Sequence, residues 1–131
     1  MRAPTEAPGA ARSGLWFLAV GGAAAATHLL VFAATRQRIW PELANAAGFM
    51  VAFFVSFCGH RLLSFPDAGT TAGQSLARFA AVALAGFATN EAVFMLALRG
   101  ADWPAMAALF VALIAAAAQT FLLGRHWAFR R

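Results

Sequence analysis

Two arginines carry the strongest chemical signal in this sequence. Arg61 stands four residues from Phe57 and four from Phe65; Arg125 stands likewise between Phe121 and Phe129. Residues i and i+4 share one face of an α-helix, so each pattern predicts a row of aromatic, guanidinium, aromatic. Such a row suits an anionic headgroup beside an apolar chain. Guanidinium matches phosphate oxygens with two parallel donors, which an ammonium group cannot do. His60, His126 and Trp127 place further donors beside the two arginines. One such arginine alone would be read as snorkelling to a membrane interface; the repeated pattern argues for binding.

A second set of polar residues interrupts long apolar stretches: His28, Asn45, Asn90, Glu91 and Gln119. A charge at a bilayer centre costs about 2.5–3.5 kcal/mol on insertion scales. Glu91 is therefore expected to be neutral, paired or facing a wet cavity. His28 and Asn90 each follow a threonine, and together with Glu91 they are candidates for a substrate or proton path. Hydrogen bonds between helices, worth about 0.6 kcal/mol each, are the competing explanation. For Asn45 and Gln119 that tying role is the expected one.

Enzyme chemistry has no constellation here. The chain has no Gly-rich phosphate loop, H-E-x-x-H, G-x-S-x-G or paired cysteine ligands. The three histidines have no metal-ligand spacing, and Cys58 is the single cysteine, so no intrachain disulfide forms. The reading is a non-enzyme with no cofactor and no metal.

The elements that must position these residues follow from composition. Of 131 residues, 62% are hydrophobic and 11% charged, against roughly 45–50% and 25% in soluble domains. So small a chain cannot bury that much apolar surface in water. The net charge of +5, all of its basic residues arginine, then marks membrane orientation and anionic lipid rather than nucleic acid. A bilayer core needs about 20 apolar residues per helix, and four stretches meet this: about 15–35, 43–63, 76–98 and 104–124. Residues 1–13 are expected to form a disordered tail ahead of a transmembrane domain over 14–131. Arg2, Arg12, Arg61, Arg78, Arg125, Arg130 and Arg131 fall on one side; Arg36, Arg38 and Arg99 fall on the other. The positive-inside rule puts the first side, with both termini, in the cytoplasm.

The chain also repeats itself. At an offset of 62, Phe17, Val20, Thr27 and Phe32 meet Phe79, Val82, Thr89 and Phe94, and His28 meets Asn90. At 63, Trp40-Pro41 meets Trp103-Pro104; at 64, Phe57, Arg61 and Phe65 meet Phe121, Arg125 and Phe129. The expected fold is all-α: an integral membrane four-helix bundle built from two parallel two-helix repeats.

These features resemble the GtrA family. Phe17-Leu18-Ala19-Val20-Gly21-Gly22 opens the first helix and Arg125-His126-Trp127-Ala128-Phe129 follows the last, over a match from about 14 to 130. Trp16 stands where the family usually has arginine, although Arg78-Phe79 keeps that pair in the second unit. The resemblance implies a multi-pass protein of the bacterial inner membrane acting in cell-surface polysaccharide synthesis. It implies translocation of a polyprenyl-phosphate-linked sugar, or service as a non-transporting anchor for a polyprenyl-phosphate glycosyltransferase. A proton-coupled multidrug exporter using Glu91 is a third reading. Partners expected are the lipid-linked sugar, membrane lipid and a glycosyltransferase; a homodimer would use small residues such as Gly21-Gly22. Substrate contacts are expected at Arg61, Arg125, His60, Trp127, Phe65, Phe129, His28, Asn90 and Glu91.

Overall fold

The structure, a computed structural model, describes residues 8–64 and 71–123. Four helices follow in order: α1 (Pro8–Thr35), α2 (Pro41–Gly59), α3 (Ala72–Met95) and α4 (Ala105–Leu123). α2 continues as a π-helical turn over His60–Ser64, and α3 continues as another over Leu96–Gly100. Gly14–Thr35, Pro41–Ser64 and Leu76–Gly100 are each long and apolar enough to cross a membrane. The described apolar part of α4, Ala105–Gln119, is shorter. The chain is an all-α membrane helical bundle.

Local chemistry accounts for the helix starts. Pro41 occupies the first turn of α2, where a missing N–H costs nothing because that donor lacks an intrahelical partner anyway. Thr71 caps α3 with a reciprocal pair of bonds: its hydroxyl accepts from the Gln74 backbone N–H, and the Gln74 side-chain Oε1 accepts from the Thr71 N–H, both at 3.2 Å. α1 already includes 8–13, so part of the segment expected as tail is helical. Its small residues and an N-terminal proline suit a first turn.

Large apolar side chains point outward. Leu15, Leu18, Leu30, Leu62, Leu96 and Ile114 are all exposed, as lipid-facing residues would be. The buried cluster is small: Phe32, Ala44, Phe94, Ala108, Leu109 and Ala112. α1 packs chiefly along α2, and α3 along α4, so each two-helix unit is a hairpin.

The repeat register is set by hydrogen bonds at one end of the bundle. Ala44 N–H bonds Trp40 O and Ala108 N–H bonds Pro104 O, each at 2.9 Å. The second helices of the two units thus correspond at an offset of 64 from their first turn, not 63. The Trp-Pro pairs are one residue out of structural register: Pro41 lies inside α2, while Pro104 precedes α4. The second unit absorbs extra length in the π turn, where Ala101 N–H reaches back five residues to Leu96 O. Such turns are how a helix accommodates an inserted residue.

Candidate functional site

Three helices send polar side chains to one buried rung. His28 on α1, Asn45 on α2 and Asn90 on α3 are 4%, 0% and 3% exposed. His28 Nε2 lies 2.7 Å from Asn45 Oδ1; the amide oxygen can only accept, so Nε2 carries the proton. The Asn45 amide nitrogen then donates twice, to Asn90 Oδ1 and to Glu91 Oε2, each at 2.7 Å. Both protons of the Asn45 amide are thereby used, and the oxygen of Asn90 is fixed toward Asn45. Asn90 Nδ2 is left over: it is buried and has no hydrogen-bond partner among the described residues.

Gly48 lets this rung close. It lies one turn from Asn45, and a Cβ there would come within 2.5 Å of His28 Cδ2 and 2.8 Å of the His28 carbonyl oxygen. The ring of His28 occupies the space that any larger residue would need. One turn farther along α1 and α3, Phe32 and Phe94 meet edge to face and close the bundle above the rung.

On the other side of the rung a cavity of about 540 Å³ opens between the helices. His28 and Asn90 line its deep end; Phe17, His60 and Arg61 line the opposite end. Between them the walls are largely aromatic and aliphatic, including Phe49, Phe57, Phe79 and Phe87. Phe49 stacks on Phe87 with centroids 4.4 Å apart, and Phe79 lies 5.4 Å from Phe53 and 5.8 Å from Phe57. A smaller fissure of about 200 Å³ shares His28, Phe49 and Phe79 and runs along Ala24 and Ala25 of α1.

The Arg61 end has its own fixed geometry. His60 stacks on Phe17 with ring centroids 4.7 Å apart, and its Nδ1 lies 3.0 Å from the hydroxyl of buried Ser64. The π turn covers His60–Ser64 and follows directly on the end of α2, which holds Phe57. Phe57 and Arg61 both line the cavity. Phe65, Arg125, Trp127 and Phe129 lie outside the described residues, as does His126.

At the far end of the bundle, Arg99 holds Glu42 through two contacts, Nε to Oε1 at 2.5 Å and Nη2 to Oε2 at 3.0 Å. This bond joins the π turn after α3 to the first turn of α2, linking the two hairpins.

The family described as GtrA/DPMS, transmembrane domain, matches residues 16–129. The chain belongs to this family. No curated protein and no solved structure matches it. Membership makes this GtrA/DPMS chain a membrane protein of polysaccharide synthesis or lipid-linked sugar handling.

Within this GtrA/DPMS domain the structure brings His28, Asn90, His60 and Arg61 to a single cavity. Glu91 is joined to it through Asn45. Asn45, expected only to tie helices, does tie three of them and is also the hub of the rung. Of the cavity-wall phenylalanines, the sequence marks Phe57 beside Arg61 and Phe79 in the repeat, but not Phe49 or Phe87. The spacing at helical period along α2, Phe49, Phe53 and Phe57, is the signal that marks that wall.

Proposed function

We propose that this chain translocates a polyprenyl-phosphate-linked sugar across the bacterial inner membrane, without making or breaking covalent bonds. One observation carries the reading: a single cavity has a guanidinium and an imidazole at one end, phenylalanines along its walls and a buried amide at the other. A lipid-linked sugar phosphate has the matching parts, an anion, a sugar face for aromatic contact and hydroxyls for amides. Its isoprenoid tail can remain in lipid beside the fissure along Ala24 and Ala25.

In this reading Arg61 and Arg125 engage the phosphate from the ends of equivalent helices, with His60 and Trp127 as further donors and Phe65 and Phe129 flanking. His28, Asn90 and Glu91 form the polar part of the path. Arg61 and Arg78 mark the cytoplasmic side, and Arg36, Arg38 and Arg99 the outer side, following the arginine imbalance. The plug of Phe32, Phe94 and Leu109 lies on the outer side of the rung, so the cavity belongs to a state closed outward. Such a carrier needs no fuel of its own where the sugar is consumed outside, since consumption draws the equilibrium across.

Reconstitution in vesicles tests the proposal. Substituting both Arg61→Ala and Arg125→Ala is expected to abolish lipid-linked sugar movement while the protein still inserts and expresses. Unchanged movement overturns the arginine assignment. Absence of movement in the wild type, with stable co-purification of a polyprenyl-phosphate glycosyltransferase, replaces transport with an anchoring role. Drug resistance conferred by the chain and lost in Glu91→Gln would instead support a proton-coupled exporter.

A further inference from the structure

The residues that mark the two polar ends of the cavity sit about three helical turns apart. Phe17 stacks on His60 and lies eleven residues before His28 on the same helix, which puts the two levels about 16 Å apart along the axis. α3 gives the same separation independently. Phe79, its ring 6.1 Å from that of His60, lies eleven residues before Asn90. A phosphate joined to one hexose spans about six single bonds from phosphorus to its farthest ring hydroxyl, about 9 Å at full stretch. A hydrogen bond extends that by about 3 Å. With its phosphorus at the level of Phe17 and Phe79, a monosaccharide headgroup therefore stops about 4 Å short of the backbone level of Asn90.

The deep end nevertheless has a donor waiting. Asn90 is 3% exposed, lines the cavity, and its Nδ2 makes no hydrogen bond among the described residues. A buried donor left without an acceptor costs about 1–3 kcal/mol, so an oxygen atom delivered there is stabilised. The ligand group favoured is neutral. The His28 Nε2 proton is already committed to Asn45, and the Glu91 carboxyl shares the rung, which disfavours a phosphate beside it.

Resting on the lipid-linked sugar reading, we propose that the rung of His28, Asn45 and Asn90 is a second sugar station. It is occupied after the headgroup has moved inward from Arg61, and Asn90 Nδ2 donates there to a sugar hydroxyl. The phosphate trails behind, among the ring edges of the cavity wall. Asn90 acts on passage of the sugar rather than on its first capture.

Short-chain probes in vesicles test this: citronellyl-phosphate hexoses (glucose, galactose and mannose) and citronellyl phosphate without sugar. Asn90→Leu is expected to slow hexose transfer about tenfold, the effect of one lost hydrogen bond in transit. The dissociation constants of all probes should change less than about twofold, and sugar-free transfer should persist. Asn90→Ser, which keeps a small donor, should recover part of the rate. If binding weakens in step with transfer, the two ends form one continuous site and the second station is overturned. Wild-type transfer in both variants also overturns it. Should Asn90→Leu fail to fold, Asn90→Ser decides alone by the same split between binding and transfer. Failure of the underlying reading is distinguishable: the wild type would then bind and move none of the hexose probes. Loss of all probe binding in Arg61→Ala, with Asn90→Leu still binding, leaves that reading standing whatever Asn90 does to transfer.

Discussion

Phe32 and Phe94 are repeat equivalents that touch each other: fully buried rings, centroids 5.5 Å apart, at 88°. Their rings join α1 to α3 across the bundle. They close the bundle one turn beyond the polar rung, with Leu109 and three alanines around them.

Truncating either ring should therefore be costly and the two costs should not add. Phe32→Ala and Phe94→Ala are each expected to lower stability by about 3 kcal/mol. The double variant should fall short of the sum, because the second truncation removes a contact already lost. Unfolding of the four proteins in mixed micelles measures the coupling directly.

Asn45 holds three helices with one amide. Asn45→Leu leaves His28, Asn90 and Glu91 without their shared partner, while its volume is tolerated because the structural counterpart, Leu109, is already leucine. The expected loss is about 1–2 kcal/mol, the range of interhelical hydrogen bonds in membranes. Leu109→Asn, which buries an amide in the apolar cluster with no acceptor in reach, should cost at least as much. Equal stability of wild type and Asn45→Leu would show that the rung adds nothing to folding.

Two glycines should behave oppositely. Gly48→Ala drives a methyl against the His28 ring and its carbonyl oxygen, so the protein should lose stability and the His28–Asn45 bond should break. Gly21→Ala meets no atom within 4 Å and gains helix propensity of up to about 1 kcal/mol. Thermal unfolding in detergent, with the His28 ring resonances followed by NMR, separates the two.

Asp102 is the one described non-glycine residue with a left-handed backbone, at φ 55°. Aspartate tolerates that region better than most residues. Asp102→Gly should leave the unfolding midpoint unchanged or slightly raised, while Asp102→Val should lower stability by about 1–2 kcal/mol.

The fold could be read from the chain because membrane spans are written as uninterrupted apolar runs, and the repeat could be read because Phe32 and Phe94, or His28 and Asn90, sit at a constant offset. The rotation of each helix about its own axis is not written that way. Nothing in the sequence says that Asn45 faces inward to His28, since a lone polar residue in an apolar run has no periodic partner to set its direction. The spacing of Phe49, Phe53 and Phe57 puts them on one face of α2 without saying which way it turns: in lipid, a ring facing the cavity and a ring facing the bilayer have the same hydrophobic signature. The π turns escaped for a different reason. An extra residue in a helix changes no residue type, only the phase of everything after it. Of the expected phosphate-binding residues, Arg61 and His60 line the cavity, and Phe65, Arg125, Trp127 and Phe129 lie outside the described residues.

The mismatch between Asn45 and Leu109 has a consequence for how the duplicated halves can be recombined. Two copies of the first half would supply paired imidazoles and amides but no acid, because the position matching Glu91 is Leu29. Two copies of the second half would set Glu91 carboxyls beside Asn90 amides but across leucines, with nothing at the Asn45 position to join them. Neither half can stand in for the other: the twins have diverged into complementary parts, and only the unlike pairing completes the molecule.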